Sequence, residues 1–139
     1  MRSLLLCLVA CFASEVLGAP QDYDPNDAMF MIASIQLDRQ AHHLPTLASD
    51  QGLLCAAQTH AFDIGARKAC SHKGKYGISF MHRAKKCGTI LLLGSEIIGC
   101  GSPFEIETMR KFKKLLYNKG YSKIGCDSFR DYWVCIFGQ

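Results

Sequence analysis

Eight cysteines are the residues of this sequence best suited to covalent or metal chemistry. Six of them are spread over the last two thirds of the chain: Cys55, Cys70, Cys87, Cys100, Cys126 and Cys135. Their spacings of 15, 17, 13, 26 and 9 residues contain no C-x2-C pair, and such pairs are typical of cysteine-rich zinc sites. An even set of cysteines in an exported chain of this size instead predicts three disulfides.

Export is indicated by the N-terminus, which contains the other two cysteines, Cys7 and Cys11. Arg2 gives a positive start, residues 4–13 form an uncharged apolar run, and small residues follow. This is the pattern of a secretory signal peptide. The apolar run is shorter than the roughly 20 residues that span a bilayer. We therefore predict a signal peptide over residues 1–18 and a secreted, extracellular protein.

Composition and charge limit what the secreted chain is expected to be. After the signal is removed, about 120 residues are left, which is enough for one domain with a buried core. Hydrophobic residues make up 49% of the sequence and the net charge is +4. The densest basic run, residues 110–114, falls on a predicted helix, where a solvated face explains it. We expect a monomer without a transmembrane segment that does not bind nucleic acid.

Two long helices are predicted in the first half of the chain. The first covers residues 27–41, with Asn26 as its N-cap. The second has an apolar residue every three or four positions and runs to about Ala69. Either Ser49 or Asp50 serves as the cap of this second helix.

Three further segments follow before the C-terminal strands. A short helix is predicted over Ser79–Lys86, and residues 89–93 are either a buried strand or an apolar connection. Ser102 followed by proline and then by Glu105 predicts a helix start with a capping box. That helix is expected to end at Gly120.

A β-hairpin closes the sequence. Its strands are predicted over residues 121–126 and 132–137, with residues 127–131 supplying a polar turn. Cys126 and Cys135 then lie on adjacent strands, so a disulfide between them is expected. The pairing of the other four cysteines is left open, since six cysteines allow 15 pairings. The order of helices and strands predicts a layered α+β domain.

At this level of detail the chain resembles the CAP superfamily, in a short divergent form. This group comprises cysteine-rich secretory proteins, antigen 5 and pathogenesis-related class 1 proteins, and its domain is also called the SCP domain. The similar stretches keep the family's order over residues 28–138: Ile35–Arg39, Leu44–Leu47, Leu53–Ile64, Ser71–Gly77, Arg83 with Gly88, Gly94–Gly101, and Ile124–Gly125 with Tyr132–Gly138. The resemblance implies a disulfide-stabilised three-layer α-β-α sandwich over residues 28–139, preceded by an N-terminal lead over residues 19–27.

The resemblance also implies a cleft, although only half of the family's residues are present. His72 matches the family's first cleft histidine and Glu96 its first glutamate. These two residues are candidate ligands for a divalent metal such as zinc, or a candidate acid–base pair. The stretch that should carry the second histidine, residues 116–123, has none, so His82 or Asp131 would have to complete a metal site.

Purely structural roles for these histidines are the alternative to a catalytic or metal-binding cleft. His72 and Glu96 could simply bond to each other and hold a loop to a strand. His60, on the apolar face of the second helix, is expected to be a hydrogen-bonded core histidine.

The function implied by the resemblance is binding rather than catalysis. Family members bind sterols, fatty acids or other proteins, often at host–microbe or defence interfaces. We expect a secreted protein that binds an apolar small molecule or an extracellular partner protein. The alternative is a secreted hydrolase that uses His72 and Glu96, with or without a divalent metal.

Overall fold

A computed structural model of the protein describes residues 24–139, so the predicted signal peptide lies outside the described residues. The described chain folds into five α-helices and one four-stranded sheet. The helices are α1 (Pro25–Ala41), α2 (Gln51–Arg67), α3 (Phe80–Lys86), α4 (Ile106–Met109) and α5 (Lys113–Leu116). The strands are β1 (Ala48–Ser49), β2 (Gly94–Cys100), β3 (Lys123–Phe129) and β4 (Tyr132–Gly138).

The sheet has the strand order β1-β3-β4-β2, with β1 parallel to β3 and the other two pairs antiparallel. Side chains alternate across strand β4, because successive residues of a strand point to opposite faces. Trp133 and Phe137 pack in the core that α1, α4 and α5 cover. Val134 and Ile136 pack in the core that α2 and α3 cover. The predicted three-layer α-β-α sandwich is therefore confirmed.

Helix α2 lies directly on strand β3 because Gly125 leaves room for it. A Cβ atom at Gly125 would come within 2.3 Å of the main-chain carbon of Leu53. No side chain larger than hydrogen fits at that distance. The close contact fixes where α2 places its side chains above the sheet, including His60.

The starts of the helices follow local capping chemistry. Asp50 caps α2, since its carboxylate accepts a hydrogen bond from the Leu53 amide at 2.8 Å, and Ser79 caps α3 through the His82 amide. Helix α1 begins at Pro25, two residues before the predicted start, because Asp24 rather than Asn26 is its N-cap. Within residues 24–139, no helix has the length and apolar character needed to cross a membrane.

The predicted capping box at Ser102 is wrong. Glu105 has an extended backbone (φ −136°, ψ 134°), and helix α4 begins only at Ile106, without a side-chain cap. The reason is tertiary packing, since the Phe104 ring packs edge-on against Trp133, with centroids 5.2 Å apart. The following segment is also broken, because a 3-10 turn over Arg110–Phe112 separates α4 from α5.

The C-terminal hairpin is tighter than predicted. Asp127 and Ser128 belong to strand β3, and Phe129 pairs with Tyr132 across a two-residue turn. Arg130 has the left-handed conformation (φ 54°) that lets the chain reverse there. All six cysteines within residues 24–139 form disulfides, and one of these is the expected Cys126–Cys135 bond between paired residues of β3 and β4.

The other two disulfides tie the connecting segments to the sandwich. Cys55 of α2 is bonded to Cys87 at the end of α3. Cys70, just after α2, is bonded to Cys100 at the end of β2. The chain between Cys70 and Cys87 is thus fixed at both ends, and this segment forms one wall of the candidate site.

Candidate functional site

Glu96 is the centre of a polar cluster on the α2 side of the sheet. It lies on β2 opposite Ile136, so its side chain faces α2, and only 6% of the residue is exposed. One carboxylate oxygen accepts a hydrogen bond from the Arg83 guanidinium. The other oxygen is 3.0 Å from Nδ1 of His72 and 3.8 Å from Nε2 of His60. A buried carboxylate needs such partners, because an unpaired charge is costly to bury.

His72 lies on the loop after α2 and is the exposed member of the cluster. Its side chain is 62% exposed, whereas that of Glu96 is 1% exposed. Since the carboxylate accepts the proton of Nδ1, the other ring nitrogen, Nε2, is the one left to act as a base. The two residues singled out by the family resemblance are therefore in direct contact.

His60 is buried, as expected for a core histidine, yet it belongs to the same cluster. Its Nε2–H donates to the carbonyl oxygen of Ser71 at 2.7 Å, which fixes the neutral tautomer with an unprotonated Nδ1. That Nδ1 atom is buried and has no hydrogen-bond partner among residues 24–139. Burial lowers the pKa of His60, and the charge of Arg83 adds to that effect, while Glu96 opposes it. His60 is therefore neutral near pH 7.

Arg83 is the residue of the cluster to which sequence analysis assigned no site role. It lies on α3, where a short basic helix predicts a solvated cation, but it is only 6% exposed. Besides Glu96 it donates to the carbonyl oxygens of Ile78 (2.9 Å) and His72 (3.3 Å). Arg83 thus holds both the carboxylate and the backbone of the loop that carries His72.

The cluster does not fit a divalent metal. No group of three or more potential ligands within residues 24–139 is arranged to hold one. The guanidinium of Arg83 binds one oxygen of Glu96 and would repel a cation there. Nε2 of His60 is committed as a donor to Ser71. His72 and Glu96 alone supply only two ligands, whereas zinc takes three or four from the protein.

The residues considered as completing ligands are elsewhere in the fold. His82 is exposed on α3, one position before Arg83. Asp131 lies in the β3–β4 turn, five residues from Ile136, the strand partner of Glu96. The structure brings together His72 and Glu96 with His60 and Arg83, but not with His82 or Asp131.

A cleft of about 530 Å³ adjoins this cluster and shares two residues with it, His60 and Arg83. It lies between α2, the loop over residues 74–78 and α3. Its lining combines apolar surface, including Phe62, Ala66 and Ile78, with the cationic side chains of Arg67, Lys75 and Lys86. The volume is within the range of roughly 300–1,000 Å³ that small-molecule sites occupy.

Asp63 connects two walls of this cleft. Its carboxylate forms an ion pair with Arg67 on the same helix at 2.7 Å and accepts a hydrogen bond from the Lys75 amide at 3.2 Å. The hydrogen bond from Arg67 lowers the pKa of Asp63 despite partial burial. The loop is therefore anchored to α2 by an ionised carboxylate.

Comparison with solved structures identifies the fold. An extracellular protein containing an SCP domain, from Bacillus anthracis, aligns over 82% of this chain and 40% of its own, with a TM-score of 0.75 and 18% identity. An outer surface protein from Borrelia burgdorferi aligns over 83% of this chain and 93% of its own, with a TM-score of 0.71 and 24% identity. A cysteine-rich secretory protein from Staphylococcus aureus aligns over 86% and 40%, with a TM-score of 0.66 and 17% identity.

The chain therefore has the fold of SCP-domain proteins, the CAP fold that the sequence motifs predicted. It spans 40% of the length of the Bacillus and Staphylococcus chains. No protein-family model matches the sequence, and a search of curated proteins finds no relative.

Proposed function

We propose that this protein is a secreted CAP-like protein that binds an apolar small molecule in the cleft between α2, the loop and α3. The cleft itself is the observation that carries the proposal, because it combines a volume of about 530 Å³ with an apolar lining. Phe62 and Ile78 offer contact surface for a hydrocarbon chain. Burial of such a chain is favourable by about 25 cal/mol per Å² of apolar surface.

Charge at the cleft favours an acidic amphiphile over a neutral one. Lys75 and Lys86 supply the lining with cations that have no carboxylate partner among residues 24–139, whereas Arg67 is paired there with Asp63. A fatty acid would place its carboxylate among these cations and its chain against Phe62, whereas a sterol has no charge to pair with them. A fatty acid is therefore the ligand class that the cleft fits best.

Titration with a fluorescent fatty acid, with and without a chelator, tests this proposal. We expect saturable binding that the chelator leaves unchanged. Ala66→Phe fills the cleft from its wall and should weaken binding at least tenfold. Ala33→Phe, a matched change at an exposed position of α1, should leave binding unchanged. Equal binding by the two variants would place the ligand elsewhere.

Secretion is supported by the three disulfides, which persist in oxidising compartments, and by the extracellular structural neighbours. The N-terminal sequence of the exported protein tests the predicted signal peptide. It should begin at Ala19. Export of a chain that keeps residues 1–18 would contradict the predicted domain boundaries.

Hydrolysis is the second candidate function, and the contact between His72 and Glu96 favours it. The carboxylate orients the imidazole, so Nε2 could take a proton from a water molecule that attacks an ester. Turnover of short-chain esters should then be lost in His72→Ala and kept in His82→Ala, which removes another exposed histidine. Equal turnover in both variants and the parent protein would eliminate this role.

A further inference from the structure

The positive charge of this protein is concentrated in one segment. Residues 64–95 contain seven lysines and arginines and no aspartate or glutamate. Because the net charge of the whole chain is +4, the rest of the sequence has a net charge of −3. The segment covers the end of α2, the loop after it, α3 and the connection to β2.

Around the cleft these cations share one face of the molecule. Arg67, Lys75 and Lys86 line the cleft, and Lys73 is two residues before Lys75 in the chain. All four residues are exposed. Arg67 is paired with Asp63, but the lysines form no ion pair with any carboxylate of residues 24–139. Three lysines of this face are therefore available to an anionic partner.

An exposed aromatic residue is at the tip of the same loop. Tyr76 is 88% exposed and has a left-handed backbone conformation (φ 64°), which is unusual for a bulky residue. The Lys75 ammonium is 5.2 Å from the centre of its ring. Phe62, at the cleft, is 58% exposed. Apolar rings beside lysines are the arrangement that favours the interface between lipid headgroups and acyl chains.

We propose that this face binds the surface of an anionic phospholipid bilayer. Lys73, Lys75 and Lys86 contact the headgroup phosphates, and Tyr76 enters the interface between them. A sulfated polysaccharide or an acidic protein would also attract the lysines, but a bilayer is the partner that also buries the exposed rings. Lys75 and Lys86 also line the cleft, but the bilayer contacts exposed surface and does not require an occupied cleft, so the inference goes beyond the proposed function.

Sedimentation with two kinds of vesicle tests the proposal on the purified, disulfide-bonded protein. One kind contains phosphatidylcholine alone, and the other contains phosphatidylcholine mixed with phosphatidylserine. We expect binding to the mixed vesicles only, weakened by added salt. Reversing the three lysines (Lys73→Glu, Lys75→Glu, Lys86→Glu) should weaken that binding by at least about 100-fold, since each lysine near an anionic surface contributes about fivefold and the three factors multiply.

A matched variant separates position from total charge. Reversing Lys111, Lys113 and Lys114, three exposed lysines on the α4–α5 segment, changes the net charge by the same amount. We expect it to keep most of the vesicle binding. Equal losses in the two triple variants would overturn the proposal, because binding would then depend on net charge alone.

A single substitution tests the contribution of the ring without altering charge. Tyr76→Asn removes the ring, and asparagine tolerates a left-handed backbone, so the fold should be kept while vesicle binding falls severalfold. Binding to immobilised heparin without binding to either vesicle would overturn the proposal in favour of a polysaccharide. Ala66→Phe should bind vesicles normally, so a failure of fatty-acid binding in the cleft is distinguishable from a failure of membrane binding.

Discussion

Two buried arginines, one on each side of the sheet, have opposite kinds of partners. Arg39 of α1 is fully buried and donates only to backbone, at 2.9 to 3.3 Å from the carbonyl oxygens of Pro45, Leu116 and Asn118. Arg83 of α3 is paired with a carboxylate, Glu96, and also lines the cleft. Arg39 therefore holds connecting segments of the fold together, whereas Arg83 belongs to the candidate site.

The surroundings of the two arginines differ in the same way. Arg39 uses Nε and both terminal nitrogens, which bind the segment after α1 at Pro45 and the end of α5 at Leu116 and Asn118. Nε of Arg83 and Nδ1 of His60 are buried without hydrogen-bond partners among residues 24–139. Proteins leave few such groups unpaired. On the α2 side of the sheet, these two buried nitrogen atoms could therefore still form hydrogen bonds.

The largest effect is expected from Arg39→Met. The change removes a charged donor from three carbonyl oxygens, of which that of Leu116 is buried and the other two are part-buried. Hydrogen bonds to a charged group contribute about 1.5–3 kcal/mol each, so the free energy of unfolding should fall by about 4 kcal/mol. Urea denaturation with the disulfides intact measures it. Arg67→Met, which removes an exposed arginine with an aspartate partner, serves as the control and should change stability little. A loss in Arg39→Met no larger than in this control would refute the structural role.

A smaller effect, about 3 kcal/mol, is expected from Arg83→Met, because Glu96 would keep a buried charge without its main partner. The two arginines should also differ in whether a second substitution can recover the lost stability. Adding Glu96→Gln to Arg83→Met should recover a large part of the loss, since it removes the unpaired charge. No side-chain change can do the same for Arg39, whose partners are backbone carbonyls. An additive loss in the double variant would show that the ion pair is not the source of the effect.

Much of the fold could be predicted from the sequence because local chemistry determines it. The spacing of apolar residues and the caps at Asp50 and Ser79 fix two helices to within about two residues. The pattern at Ser102 failed because Phe104 packs against Trp133, and Glu105 next to it has an extended backbone instead of a helical one. A capping box contributes about 1 kcal/mol, and burial of a large aromatic ring exceeds that.

The candidate site was predicted in part, for a related reason. His72 and Glu96 are recognisable because they stand within family-like motifs. Arg83 stands in a motif-like position too, but a cation in the sequence Arg-Ala-Lys-Lys gives no sign of being the buried one. Likewise nothing in the sequence around Arg39 distinguishes it from a solvated arginine. Burial of long charged residues depends on contacts distant in sequence, and these are visible only in the fold.

The α2 side of the sheet should also make the stability of the protein depend on pH, through His60. Burial and Arg83 hold the pKa of His60 below its ordinary value, against the opposing effects of Glu96 and Asp63. Below about pH 6.5 the unfolded chain binds a proton at His60 that the folded chain does not. The free energy of unfolding therefore decreases as the pH is lowered, by up to about 1.4 kcal/mol per pH unit. This fall stops once the pH drops below the pKa of His60 in the folded protein.

Urea denaturation at pH 7 and pH 5.5 measures this slope. The lowered pKa values of Asp38, Asp50 and Asp63 concern a more acidic range, below their ordinary value of 3.8. His60→Gln should therefore reduce the difference between the two pH values. An unchanged difference in this variant would mean that His60 binds its proton equally well in the folded and the unfolded chain, contrary to its lowered pKa.

The smallest effect on stability is expected from His72→Ala, although His72 touches the same carboxylate as Arg83. Its side chain is 62% exposed, so water replaces the imidazole as a partner of Glu96, and the free energy of unfolding should fall by less than about 1 kcal/mol. Denaturation of His72→Ala beside Arg83→Met compares the two partners directly. Equal losses would make His72 a structural bridge between loop and strand. A small loss means that folding does not require the pair of His72 and Glu96, which leaves the exposed imidazole free for binding or proton transfer.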